Sequence, residues 1–107
     1  MPQAAAPAPN ERISSALSRA NFVAAIFAKD ALTLRQKLAQ GVSPNIITPE
    51  GNPALTQAVI QRWPEGVRIL LAAGADRNAK NIKGHTAADV ALELGYEDMS
   101  RLLEAPR

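Results

Sequence analysis

Residues 51–81 read GNPALTQAVIQRWPEGVRILLAAGADRNAKN, and the order of helix starts and stops in that stretch decides the fold. Asn52 followed by Pro53 reads as an N-cap and a first helical residue, because proline's missing N–H costs nothing at that position. The spacing predicts a short helix over 54–61 with Leu55, Ala58 and Val59 facing inward. Arg62-Trp63-Pro64 interrupts it, since Pro64 cannot donate within a helix. Residues 65–73 restart with Val67, Leu70 and Leu71 on one stripe, and Gly74 predicts a left-handed stop. Residues 75–84 then carry Asp, Asn, Lys and Gly without helical spacing, as a protruding turn requires.

Working outward, the same unit recurs. A shift of 33 residues brings Leu38 onto Leu71, Gly41 onto Gly74, Asn45 onto Asn78 and Gly51 onto Gly84 without a gap. It also aligns Ala25 and Ala58 with Ala91, and Arg35 and Arg68 with Arg101. In the third unit Thr86 and Asp89 form a capping-box pair ahead of a helix to about Leu94. Gly95-Tyr96 makes the turn, and a second helix over 97–104 carries Met99, Leu102 and Leu103 inward. In the first unit, helices over 22–28 and 32–40 flank Lys29-Asp30. Residues 11–19 extend the first helix backward through Ile13 and Leu17, an extension expected to act as a cap. The expected boundaries are a disordered Ala/Pro-rich tail over 1–10 and one repeat domain over 11–107, its repeats at about 11–45, 46–78 and 79–107.

The chain has 107 residues, room for a single hydrophobic core. Of its 50 apolar residues 21 are Ala and only four residues are aromatic, which favours closely packed helices over a core of bulky side chains. The net charge of +2 is too small and too mixed to argue for nucleic acid, and no apolar run is long enough for a membrane span. With no Cys there is neither a disulfide framework nor a thiolate metal site or nucleophile. The Ala/Pro-rich start is also what remains when a signal peptide is cut at an A-x-A site, so the expected compartment is cytoplasm or periplasm.

Leu70-Leu71-Ala72-Ala73-Gly74-Ala75-Asp76-Arg77-Asn78-Ala79 resembles the helix-to-finger junction L-L-x-x-G-A-D-x-N-A of ankyrin repeats. Gly84-His85-Thr86-Ala87-Ala88-Asp89, with Ala91, Gly95-Tyr96 and Leu102-Leu103, is similar to a terminal repeat of that family. Departures are Pro53-Ala54-Leu55-Thr56 for T-P-L-H, Arg62-Trp63 for G-H, and Val42-Ser43-Pro44-Asn45 at the first junction. The resemblance spans roughly residues 16–104 and extends to small ankyrin proteins exported by proteobacteria. It implies an all-α solenoid of about three helix-turn-helix repeats joined by hairpin-like fingers. It further implies a non-catalytic module that binds another protein through its fingers and the concave face of its first helices, as a monomer and without a cofactor.

Candidate contact residues follow from the fingers and that face. Arg77, Lys80, Lys83 and His85, beside Ile82, make the second finger locally positive, suited to an acidic protein surface; the plainer reading is a solvated loop tip. In the first finger Ile46, Ile47 and Pro49 beside Glu50 and Asn52 are apolar where turns are usually polar, which means packing against the next finger or an exposed patch. Trp63 reads either as an interface anchor or as cover for neighbouring helices. By resemblance Ile60 and Gln61 belong to a recognition strip with Phe27-Ala28 and Glu93-Leu94, although spacing alone would also fit ordinary core. Catalysis is argued down by the lone His85 and the lack of any nucleophile with a base fixed beside it. Asp89, Glu93, Glu97 and Asp98 crowd the last repeat, but they read as a solvated helix face rather than a metal site. An exported protein with a protective, immunity or stress-related role is the alternative function.

Overall fold

The computed structural model describes residues 9–104, with side chains from Ala16 onward. Among them six helices form three antiparallel pairs. These are α1 (Pro9–Ala28) with α2 (Ala31–Ala39), α3 (Ala54–Ile60) with α4 (Pro64–Ala72), and α5 (Ala87–Leu94) with α6 (Glu97–Leu103). α3 packs against α1 on one side and α5 on the other, while α4 packs against α2 and α6, so an inner layer (α1, α3, α5) lies over an outer one. Between the pairs the chain runs out into loops, the first closed by an isolated antiparallel bridge between Ile47 and Pro53. This is the all-α repeat stack that the 33-residue period predicts.

Local chemistry explains each boundary. Pro64 occupies the first turn of α4, where its missing N–H costs nothing. Gly74, at φ 98°, ends the same helix: its N–H donates to Leu71 O at 3.0 Å and the Ala75 N–H to Leu70 O at 2.9 Å, the paired bonds of a Schellman stop. Thr86 and Asp89 form the expected reciprocal cap of α5. The Asp89 N–H donates to Thr86 Oγ1 at 3.2 Å and the Thr86 N–H to Asp89 Oδ2 at 3.0 Å. The Thr86 backbone N–H, more than its hydroxyl, holds the Asp89 carboxyl below its ordinary value. Asp30 caps α2 from one side only, its carboxylate accepting both the Thr33 N–H and the Thr33 hydroxyl, and that hydroxyl is the main cause of the Asp30 carboxyl's lowered pKa.

Phe22, Ile26, Leu34, Leu55, Val59, Val67, Leu70 and Met99 are fully buried in one continuous core. Burying each large side chain contributes about 1.5–3 kcal/mol. Ala25, Ala58 and Ala91 are buried at the same register in the three inner helices, where small side chains let the helix axes approach closely.

Two expectations need correction. The N-cap of α3 is Pro53 rather than Asn52, because the Asn52 side chain is drawn to distant amides described below. α1 begins at Pro9, so the expected boundary between tail and repeat falls inside a helix; residues 1–8 and 105–107 lie outside the described residues. Leu17, in the backward extension of α1, is 57% exposed, since the core-facing stripe of α1 runs through Phe22, Ala25 and Ile26.

Candidate functional site: a groove between fingers and inner helices

The first finger, residues 46–53, is a small hairpin. The Thr48 N–H donates to Asn52 O at 2.8 Å, the Ala54 N–H to Ile46 O at 2.8 Å, and the Gly51 N–H closes the turn on Thr48 O at 2.9 Å. In the second finger Asn81 is the organiser. Its Oδ1 accepts the backbone N–H groups of Lys83 and His85, each at 3.0 Å, and its own N–H donates to His85 O at 2.9 Å. The two fingers are locked together. The Ile82 N–H donates to Gly51 O at 3.1 Å, and the Ile82 side chain lies so close over Gly51 that a Cβ there would meet its Cγ2 at 2.5 Å.

A run of side-chain amides continues this contact into α3. Asn81 Nδ2 donates to Asn52 Oδ1 at 3.2 Å, Asn52 Nδ2 to Gln57 Oε1 at 3.3 Å, and Gln57 Nε2 to Gln61 Oε1 at 3.0 Å. Asn81 donates at one end, Asn52 and Gln57 each accept and donate in turn, and Gln61 accepts at the other end, so the run has a direction and orients the Asn52 and Gln57 amides from both sides. Gln57 is buried beneath it.

Above these amides lies a groove of about 330 Å³, walled by Glu50 and Asn52 of one finger, Ile82, Lys83 and His85 of the other, and Ile60 of α3. Its far side is Val90, Glu93 and Leu94 of α5. Ile82 is 80% exposed at its rim, and His85 Nδ1 stands 3.6 Å from Glu93 Oε2. A second, more apolar groove of about 330 Å³ lies one repeat earlier, between Arg19, Ala20 and Val23 of α1 and Ile46, Ile47 and Pro49 of the first finger. Two largely apolar clefts in series, the first with the ordered amides of Asn52 and Asn81 in its lining, can receive side chains from a partner, and the first can also hydrogen-bond its polar groups.

The model of the family described as ankyrin repeats (3 copies) matches residues 22–105. The chain belongs to the ankyrin-repeat family. No curated protein matches it significantly.

Of the residues singled out from the ankyrin resemblance, Glu50, Asn52, Ile60, Ile82, Lys83 and His85 meet in the first groove, and Ile47 and Pro49 in the second. Gln61 ends the amide run, and Lys80 is exposed on the second finger outside both grooves. Ile46 packs against the core, whereas Ile47 is exposed.

Two residues do other work. Trp63 is 6% exposed, its ring seated over Gly66 at the start of α4, so it covers the core rather than meeting solvent. Arg77 Nη1 donates to Leu103 O at 2.8 Å and Glu104 O at 3.2 Å, satisfying carbonyls left unpaired at the end of α6. It is a cap for the last helix, not part of a free positive patch. The carboxylates of the last repeat are likewise spread among separate jobs: Asp89 caps α5, Glu93 neighbours His85, and Asp98 pairs with Arg62 at 3.7 Å.

Sequence reasoning missed Asn81 and Val90. The available signal for Asn81 was its place three residues before Gly84 in a polar loop, where an Asn side chain commonly accepts backbone N–H groups ahead. No described helix is long and apolar enough to cross a membrane.

Proposed function

We propose that this chain is a non-catalytic binding module that holds a protein partner in the groove between its fingers and its inner helices. The observation that carries the reading is the convergence there of exposed Ile82 and Leu94 on a floor of hydrogen-bonded amides whose orientation is already fixed. Preordered side chains lose little entropy on binding, and an apolar centre with a charged rim is the arrangement in which a few contacts carry most of the affinity. Lys83 and Glu93 on opposite walls favour a partner segment of mixed rather than single-sign charge.

The test places a photo-crosslinking residue at Ile82 or Leu94 and, as a control, at Arg68 on the exposed side of α4, with extracts of each cell compartment of the source as bait. A protein crosslinked from positions 82 and 94 but not from 68 is the expected result, and its compartment of origin comes with it. Crosslinks from 68 alone, or the same set from all three positions, would overturn the assignment of the groove.

A further inference from the structure

We infer that the outward face of α1 is a self-association surface, paired with α1 of a second copy of this chain. α1 begins twelve residues before Asn21, the position in register with the starts of α3 at Ala54 and α5 at Ala87. The added turns have no counterpart in the other repeats, and helices in proteins draw most of their stability from packing an apolar face.

The face that would supply that packing is visible. Leu17, Ala20, Ala24 and Phe27 follow one another at spacings of three, four and three, the period of a helix-pairing seam. All four are exposed, Leu17 at 57% and Phe27 at 43%, and they lie opposite the stripe of Phe22, Ala25 and Ile26 that enters the core. α1 is therefore apolar on two opposed faces, only one of which the fold uses.

A second copy is the occupant that fits. The positions flanking the seam, Ala16, Asn21, Val23 and Ala28, carry no charge. Flanking charges are what select a foreign helix and repel an identical one. The size order large, small, small, large also matches its own reverse. An antiparallel copy places Leu17 of each chain opposite Phe27 of the other and alanine against alanine at the centre, with the helix dipoles opposed. Such a seam is short, at the small end of specific interfaces, which bury less than about 1,200 Å² and dissociate readily. The expected dimer is thus weak and dependent on concentration, a departure from the monomer expected from the sequence.

The full chain is followed by sedimentation equilibrium from about 10 µM to about 1 mM, the range in which an interface of this class half-dissociates. The wild type is expected to rise from 11.4 kDa toward twice that mass. The Leu17→Glu/Phe27→Glu variant, and independently Ala24→Glu, should stay at the lower mass with unchanged circular dichroism and thermal melting. Leu92→Glu, which alters an equally exposed leucine on the last repeat, should dimerise as the wild type does. A wild type that remains at 11.4 kDa throughout, a dimer that survives the α1 variants, or one abolished by Leu92→Glu would each overturn the proposal.

Discussion

Gly66 sits in the first turn of α4 beneath the ring of Trp63, and a Cβ built there would stand 2.6 Å from Trp63 Cδ2 and Cζ3. Replacing a helical glycine by alanine ordinarily stabilises by about 1 kcal/mol. Here the ring cannot yield, because Trp63 is buried against the core, and the sign reverses. Gly66→Ala is expected to lower stability by about 1–3 kcal/mol in urea unfolding, with much of the loss recovered when Trp63→Leu is added. A stabilised Gly66→Ala protein would show that the ring is not held there. Lys29 poses the opposite case. Lys29, Arg62 and Gly95 occupy the same register in the three turns between paired helices, and all have positive φ, at 56°, 50° and 74°. Glycine takes that conformation freely while a lysine is strained, so Lys29→Gly should stabilise by about 1 kcal/mol, read as a rise in the urea midpoint. Arg62→Gly should gain less. The Arg62 guanidinium lies 4.6 Å from the centre of the Tyr96 ring and 3.7 Å from Asp98, contacts that glycine would lose.

At the scale of the element, the caps of α2 and α5 make stability depend on pH in a defined direction. Asp30 and Asp89 both have folded-state values below the ordinary 3.8, so their contribution is complete above that value and is lost as the pH falls through the lower folded values. The melting temperature should therefore decline on acidification below about pH 4, and the decline should be shallower in Asp30→Asn and Asp89→Asn, which hydrogen-bond without titrating. Thr86→Ala should cost about 1 kcal/mol at neutral pH. An acid limb of the same steepness in all these proteins would assign it to other carboxylates. These caps, together with Pro64 and Gly74, were legible in the sequence because each does its work within one turn of its own position. The misplaced cap of α3 had a different origin. Asn52 has the chemistry of an N-cap, but its amide is taken by Gln57 and by Asn81, the latter 29 residues away. Arg77 was misread for the same kind of reason, and Trp63 stayed open between anchor and cover. What covers a tryptophan, or which distant carbonyl an arginine reaches, depends on how the repeats stack. Glu50, Ile82, Lys83 and His85 fall together in one groove because the repeat pattern itself puts the fingers side by side.

Across the whole molecule the stack behaves as a row in which each repeat gains its burial from its neighbours. The clearest measure is one position seen three times. Ile26 and Val59 are fully buried, yet Leu92, in the same register, is 71% exposed, because the next inner helix covers the first two and the third has no described helix beyond it. Other positions of the last repeat have become polar to suit: Ser100 stands where Leu34 and Val67 are buried, and Glu104 where Leu38 and Leu71 pack against the core. A substitution should then be judged by its place in the row rather than by residue type. Val59→Ala, in the middle, removes two buried methyl groups and should cost about 2 kcal/mol, whereas Leu92→Ala should change stability by less than about 0.5 kcal/mol. Native-state hydrogen exchange adds the spatial half of the argument. Amides of α3 and α4 should be the slowest to exchange, since both neighbours must separate before they open, and Val59→Ala should speed exchange in all three repeats at once. If Leu92→Ala proved as costly as Val59→Ala, Leu92 would have to be covered in solution, and the end of the row would be an interface rather than an end.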